Sequence, residues 1–481
     1  MSKEVASRTK VALVWDLAGS FFRQFASLII SIILARLLSP EEFGVIGMSL
    51  VFVGITEVFI DIGFTSGLIQ QRDVKDIAYS SIFYVNLGIS ILLSLLIMFF
   101  SPYIAEFYEE PQVGSVLFYL AFIPPIAALG RIQSTILTKN MDFRSLTMRN
   151  IFATVAGGIV GVAAAFMDFG VYSLVVQQIT AAVMSTFLLW YATGWRPKFE
   201  FSFKEVKALL GYSSYVFFDQ VLRQIFNKID TIFIGKAFST ATLGFYSRAE
   251  SLKAQIDTYT STSLRKVMFP AFSALQQNIQ AFERAYFKAF NTVTGLIALL
   301  VAPIYLLSDK IIIGLLGEKW APSIIFFQIL LFTTLTSPHI GIMAQAVLAK
   351  GYSRLKFKMG LAQRLLRLSP ILMGSLFGIV EFAIAVVVAN TIVFFVYTYI
   401  VHRSLHLSFY KQLKGFIVPN VMLAVFVVLY HFVNDYVDSW ILAGLFIIFD
   451  LAYLKIIKHE SFAMVIEGYN MVKKRILKLK R

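Results

Sequence analysis

Residues 21–44 read FFRQFASLIISIILARLLSPEEFG, and residues 221–244 read VLRQIFNKIDTIFIGKAFSTATLG. Laid over one another at a shift of 200 residues, the two stretches share residue types that apolar segments seldom share by chance. Arg23 falls over Arg223, Gln24 over Gln224, Arg36 over Lys236, Ser39 over Ser239 and Gly44 over Gly244, and further along Glu57 falls over Asp257. Self-similarity at one fixed shift is the mark of a duplicated architecture. It predicts two homologous six-helix lobes, 11–200 and 201–405. An even number of spans per repeat leaves both copies in the same orientation, so the repeats are parallel about an axis normal to a membrane.

The membrane follows from composition. A chain of 481 residues that is 58% hydrophobic and only 15% charged has more apolar surface than a water-soluble core can hide. The fold class is therefore an all-α polytopic membrane protein. A bilayer core takes roughly 20 mostly apolar residues per helix. That length places about fourteen spans, near 11–38, 43–70, 77–101, 114–138, 150–168, 171–193, 208–237, 243–268, 289–308, 322–349, 359–379, 382–402, 413–433 and 438–457. Residues 1–10 form a short tail, 406–457 add helices 13 and 14 beyond the lobes, and 458–481 form a basic amphipathic tail. The apolar run 11–38 is too long for a cleaved leader, carries Arg23 and lacks a small-residue cleavage pattern, so it reads as the first span.

Lys and Arg gather in short cytoplasmic loops. Most of the 43 Lys and Arg fall in the tails and in alternate loops such as GWRPKFEFSFKEVK and AKGYSRLKFK, whereas an opposite loop reads AEFYEEP. Both termini are expected on the cytoplasmic side of the membrane. The formal charge of +15 is accounted for by this asymmetry, which leaves no case for a nucleic-acid partner. With no cysteine, thiol chemistry and thiolate metal sites are excluded. His402 and His406 share i, i+4 spacing but lack a third ligand, so no metal is expected. Gly157 and Gly161 stand at the spacing of close helix packing.

Charges inside spans cost several kcal/mol in lipid and so face a bundle interior or a wet cavity. Ser20, Gln24, Ser27 and Ser31 follow helical spacing on the first span with Arg23 beside them. Asp219, Arg223, Asn227 and Asp230 form a stripe on the seventh, and Glu250, Lys253 and Asp257 share a face of the eighth. The corresponding first helices of the two lobes are thus expected to line one central polar cavity.

The run LARLLSPEEFGVIGMSLVFVGITEVFIDIGF, then LIQQRDV, NKIDTIFIGKAFSTATLGFYSRAESL, VMFPAFSALQ and LLGEKWAP, resembles the Wzx-type lipid-linked oligosaccharide flippases. These are polysaccharide transporters of the multidrug/oligosaccharidyl-lipid/polysaccharide (MOP) superfamily. The resemblance implies a V-shaped pair of lobes working by alternating access. It also implies a substrate of undecaprenyl pyrophosphate bearing an oligosaccharide, turned from the inner to the outer leaflet, with a polymerase and other glycan-assembly proteins as partners beside the membrane lipids.

A pyrophosphate head cannot cross hydrocarbon unaided, so its carrier needs fixed cations plus polar groups for sugar hydroxyls. The candidates are Arg23, Arg223, Gln24 and Gln224 near mid-span, Arg248 and Lys253 on the eighth span, and Arg131, Arg364 and Arg367 toward the cytoplasmic half. Glu57, Asp61, Asp219, Asp230 and Asp257 are expected to hold these cations or to couple an ion. A purely architectural role, Arg223 paired with Asp219 and Arg23 with Glu57 or Asp61, stays open. Moving negative charge outward is downhill by roughly 2.3 kcal/mol per charge per 100 mV. There is no GxxxxGK[ST] loop for ATP. No cofactor is expected, and coupling to protons, sodium or the membrane potential is left open. No nucleophile and base constellation points to an enzyme. A drug or cation exporter of the same superfamily and a non-transporting scaffold of a glycan-assembly complex are the alternatives.

Overall fold

The computed structural model describes residues 3–61, 64–71, 74–258, 263–433, 436–457, 459 and 461–462, with side chains except at 3–18, 61, 209–216, 218–219 and 263–267. All regular structure among them is helical. In chain order the helices are α1 (Lys3–Leu37), α2 (Pro40–Asp61), α3 (Phe64–Gln70), α4 (Asp76–Tyr108), α5 (Pro111–Leu120), α6 (Ile123–Lys139), α7 (Phe143–Phe166), α8 (Tyr172–Ala192), α9 (Phe203–Ala237) and α10 (Thr240–Asp257). There follow α11 (Ser263–Ala274), α12 (Ile279–Leu306), α13 (Ser308–Leu316), α14 (Ser323–Ala349), α15 (Ser353–Leu366), α16 (Ser369–Phe377), α17 (Ile379–Leu405), α18 (Phe409–Val433) and α19 (Ser439–Ile456).

The sequence repeat reappears as a repeat of helix bounds. Both α1 and α9 are 35 residues long and begin and end 200 residues apart, and α10 begins 200 residues after α2. The same device starts the second helix of each pair. The Ser39 amide donates to Glu42 Oε2 (2.6 Å) while the Glu42 amide donates to Ser39 Oγ (3.4 Å), a reciprocal cap that satisfies orphan donors of the first turn. In α10 the Thr242 amide donates to Ser239 Oγ at 3.2 Å. The glycines five residues on are where α2 and α10 meet. The space a side chain of Gly44 would occupy is filled by the backbone carbonyl of Thr240, and that of Gly244 by the carbonyl of Pro40. The contact is reciprocal between the two equivalent positions.

Close packing divides the chain into two compact units, Met1–Ser247 and Arg248–Arg481. The first unit runs past the sequence repeat boundary because α9 and the start of α10 pack onto α2. Gly235 of α9 leaves room for Tyr108 and Met48, Gln224 Nε2 donates to the Gly54 carbonyl (3.1 Å), and Phe217 meets Phe59 edge to face. Lys236 pairs with Glu109 at 2.7 Å and holds that exposed carboxyl below the usual carboxylate range. A core of Phe64, Leu68, Ile82, Phe83, Ile132 and Val206 ties α3, α4 and α6 to the foot of α9. On α7, Gly157 and Gly161 pack against Gln177 and Ala181 of α8, and Gly158 against Ile30 of α1, the close approach their spacing predicts.

The second unit is built on α12, α14, α17 and α18. His339 of α14 is fully buried among the rings of Phe290, Phe394 and Phe416, hydrogen-bonded at Nε2 to Thr294 (2.8 Å) and at Nδ1 to the Leu335 carbonyl (2.8 Å). Tyr286 likewise donates to Gln412 Oε1 at 2.8 Å. Both polar side chains are thus returned to partners on a neighbouring helix or on their own.

Among the described residues, eleven helical segments are long and apolar enough to cross a membrane. The protein is a multi-pass membrane protein, and its lipid-facing side is visible in exposed residues such as Leu92, Leu95 and Phe99 of α4. Three expected spans meet this test less well. The expected 208–237 lies within α9, which is long enough but highly polar. The expected 243–268 covers α10 and the start of α11, helices of low apolarity. The expected 359–379 is two pieces, α15 and α16, interrupted before Pro370 and closed by Gly378 at φ 121°. The basic tail 463–481 lies outside the described residues.

The crossing of α2 and α10 is directly testable. Gly44→Ala and Gly244→Ala each drive a methyl group into backbone that cannot rotate away, at a cost of about 1–3 kcal/mol. Each is expected to lower the thermal midpoint and the monodisperse yield of detergent-solubilised protein. Gly88→Ala, whose added methyl meets nothing within 4 Å, should keep or raise both.

Candidate functional site

The cations of the first unit converge from different helices. Arg23 is exposed on α1, Arg131 is half-buried on α6 and Arg149 is half-buried near the start of α7. Their guanidinium groups lie close enough that the charges of Arg23 and Arg131 both bear on Arg149. The packing of α7 against both α1 and α6 brings this about. Arg149 is oriented by Asn150, whose Oδ1 accepts from its Nε (3.1 Å) and from an Nη (2.5 Å). Glu57 of α2 stands beside the group, and the charges that bear on it are those of Arg131 and Lys228 of α9.

Arg131 and Lys228 thus bear on the Glu57 carboxylate, while Arg23 and Arg131 bear on Arg149. Like charges held together in that way repel unless a polyvalent anion shares them. Each planar guanidinium can also grip two phosphate oxygens at once. Gln24 is half-buried next to Arg23, its Oε1 without a hydrogen-bond partner, whereas Gln224 is committed to the Gly54 backbone. Arg223 lies on the exposed side of α9 and Asp230 is buried one helical stretch below it. The side chains of Asp61 and Asp219 lie outside the described residues, so their proposed pairings with Arg23 and Arg223 are not visible.

In the second unit the candidate cations are held differently. Lys253 makes a 2.8 Å ion pair with Asp257 one turn on, with both side chains largely buried, and Thr334 donates to the same carboxylate at 2.8 Å. Arg248 lies 6.0 Å from the centroid of the buried Trp320 ring, which belongs to the LLGEKWAP motif. Arg364 lies on α15 near Tyr397, whose hydroxyl donates to Gln363 Oε1 at 3.2 Å, and Arg367 caps the same helix. His402 is occupied by the Leu407 carbonyl (2.9 Å).

Sequence reasoning missed Arg149 and Lys228. A span placed at 150–168 left Arg149 just outside as a loop charge, whereas α7 begins seven residues sooner. Lys228 lies one helical turn beyond Gln224, and that spacing was the available signal.

The family model described as "Polysaccharide biosynthesis protein" matches residues 33–325. The succinoglycan biosynthesis transport protein ExoT of Rhizobium meliloti is 25% identical over 60% of this chain and 58% of its own length. The teichuronic acid biosynthesis protein TuaB of Bacillus subtilis is 24% identical over 76% of this chain and 77% of its own. The lipopolysaccharide biosynthesis protein WzxC of Escherichia coli is 20% identical over 71% and 70%. Among solved structures, the lipid II flippase MurJ in an inward closed conformation superposes at a TM-score of 0.73, with 16% identity over 93% of this chain and all of that one. An inward-facing multidrug resistance MATE transporter of the MOP superfamily reaches 0.63, with 14% identity over 80% and 94%. At such identities these likenesses establish the fold.

The contrast between the two units predicts opposite behaviour on mutation. Lys253→Ala strands a largely buried carboxylate and is expected to reduce folded protein, and Asp257→Asn in the same chain should restore it, with a coupling of about 0.5–3 kcal/mol. Arg149→Ala removes a cation from a cluster of like charges and should leave the thermal midpoint near that of the unaltered protein. A midpoint that falls as far for Arg149→Ala as for Lys253→Ala would contradict this division.

Proposed function

We propose that this chain, which belongs to the polysaccharide biosynthesis protein family, is a flippase for a lipid-linked oligosaccharide. The observation that carries the reading is the convergence of Arg23, Arg131 and Arg149 from three helices of a multi-pass membrane protein. The substrate is an oligosaccharide repeat unit on undecaprenyl pyrophosphate, and the arginine cluster holds its anionic head. Alternating access carries the head group from the inner to the outer leaflet while the polyprenyl chain stays in lipid. The protein transports and does not catalyse a covalent step.

In this reading the lobes 11–200 and 201–405 are the moving halves, α18 and α19 are an appendage, and both termini are cytoplasmic in a bacterial inner membrane. Fourteen spans result if α9, α10 with α11, and α15 with α16 also cross, their polar faces turned from lipid. The outward movement of a polyanion is favoured by an inside-negative potential, so no bound nucleotide is needed. Glu57, flanked by Arg131 and Lys228, is the carboxylate best placed to couple a proton or sodium ion. A polymerase and other glycan-assembly proteins consume the product on the far side. A drug or cation exporter would instead need an excess of acids and aromatic rings at this place, which the three arginines oppose.

The test uses cells deleted for the native copy and complemented with variants, reading surface glycan and membrane protein level together. Arg23→Ala and Arg149→Ala are each expected to cut export at least about tenfold at near-normal protein level. Lys at either position should recover part of it, because it keeps the charge and loses the fork. Normal export by a double Arg23→Ala, Arg149→Ala variant would overturn the reading.

A further inference from the structure

A second cationic site lies wholly in the second unit, built from residues that the transport cluster does not use. Where α12 and α18 begin and α19 ends, their termini enclose a cavity of about 1010 Å³. Among the described residues four cations line it, Arg284 and Lys288 from α12 and Lys411 and Lys414 from α18, against the carboxylate of Glu283. Lys411 is spent on that carboxylate at 3.1 Å. Arg284, Lys288 and Lys414 are exposed and have no ion-pair partner among the described residues. Among the described residues, the cavity wall therefore carries three positive charges without an ion-pair partner.

A fourth group adds a directed donor. His459, just past the end of α19, also lines the cavity. Its Nδ1 lies 2.7 Å from Ser461 Oγ and accepts from the Ser461 amide at 3.4 Å, and in the tautomer that the amide bond requires the ring proton sits on Nε2. Nε2 is buried and has no hydrogen-bond partner. Burial also depresses the basicity of this ring, so it is neutral near pH 7 and offers a single N–H. A buried donor without an acceptor is destabilising unless something supplies one. Cations around such a donor suit an oxyanion.

The cavity lies at the rim of the apolar belt. Ile417 of α18 is 53% exposed and Ile456 of α19 is 78% exposed, each beside a cavity-lining segment. An occupant that brings acyl chains can cover those residues while its phosphate meets the cations, whereas a soluble anion leaves them bare. We propose that this cavity binds the phosphate-bearing headgroup of an anionic bilayer phospholipid.

The experiment uses the purified full chain, free of polyprenyl carrier, in detergent. Native mass spectrometry counts lipid adducts with phosphatidylglycerol or phosphatidylcholine, and thermal shifts are read with each lipid and with inorganic pyrophosphate. Phosphatidylglycerol is expected to bind more tightly than phosphatidylcholine and to raise the thermal midpoint. The triple variant Arg284→Gln, Lys288→Gln, Lys414→Gln should lose at least about tenfold in phosphatidylglycerol affinity. A charge-matched control, Arg354→Gln, Lys356→Gln, Lys358→Gln on α15, should keep it. Equal affinity for the two lipids, or equal loss in both triple variants, overturns the proposal. A thermal response to pyrophosphate without one to phosphatidylglycerol overturns the lipid as the source of the phosphate. Should the cavity triple variant fail to fold, His459→Phe, which removes the buried donor and keeps the ring, must still weaken phosphatidylglycerol binding, and unchanged binding overturns the proposal.

Discussion

The contact on which the first unit depends is a backbone-to-backbone one. Where α2 and α10 cross, the absence of a side chain at Gly44 and Gly244 lets each helix rest on the carbonyl that opens the other. Nothing in a lipid-bathed protein drives helices together by hydrophobicity, since lipid tails are as apolar as leucine. Close van der Waals approach must supply the association, and small residues make it possible. The repeated serine caps at Ser39 and Ser239 set the phase of both helices, so that each glycine arrives at the crossing in register. Once α10 is fixed there, α9 is held against α2, and Lys228 and Gln224 reach the same region as Glu57 and Gly54.

That geometry also explains how charge is tolerated. The two units solve the same problem in different ways. In the second, Lys253, Asp257 and Thr334 form a closed set, and His339 is sealed in an aromatic shell with both nitrogens satisfied. In the first, among the described residues, the charges of the α1 and α6 arginines bear on the arginine of α7, and Glu57 lies near Arg131 and Lys228. Closed pairs fix a structure, whereas an excess of one sign is a standing demand for a counter-charge. The functional reading rests on that difference more than on the number of cations.

Much of this was legible in the sequence because the repeat involves residues that membranes penalise. Arg23, Gln24, Ser39 and Gly44 recur at Arg223, Gln224, Ser239 and Gly244, and the matched ends of α1 and α9 follow. The glycine spacing on α7 foretold its packing on α8. What composition could not give was the third dimension. Hydropathy places an arginine at the edge of a span without saying which helix it will face, so Arg149 looked like a loop charge and the nearness of Arg131 and Lys228 to Glu57 was not foreseen. The division of packing at Ser247 was equally hidden, because a repeat records ancestry while a compact unit records contact.

The reach of the first unit to Ser247 has a consequence for biogenesis. A nascent chain emerging one helix at a time cannot complete this unit when its sixth apolar segment is inserted, since the faces that α2 presents to α9 and α10 are still uncovered. The glycine surface of α2 must wait, bare, through the synthesis of the basic linker and the polar α9. Two separately expressed fragments cut near residue 200 would each carry half of that surface. Cut instead after Ser247, the first fragment would hold both halves of its crossing, although α10 would be severed in its middle. The chain is thus obliged to assemble across the start of its second similar stretch, and residue 200 is not a place where the protein can be taken apart.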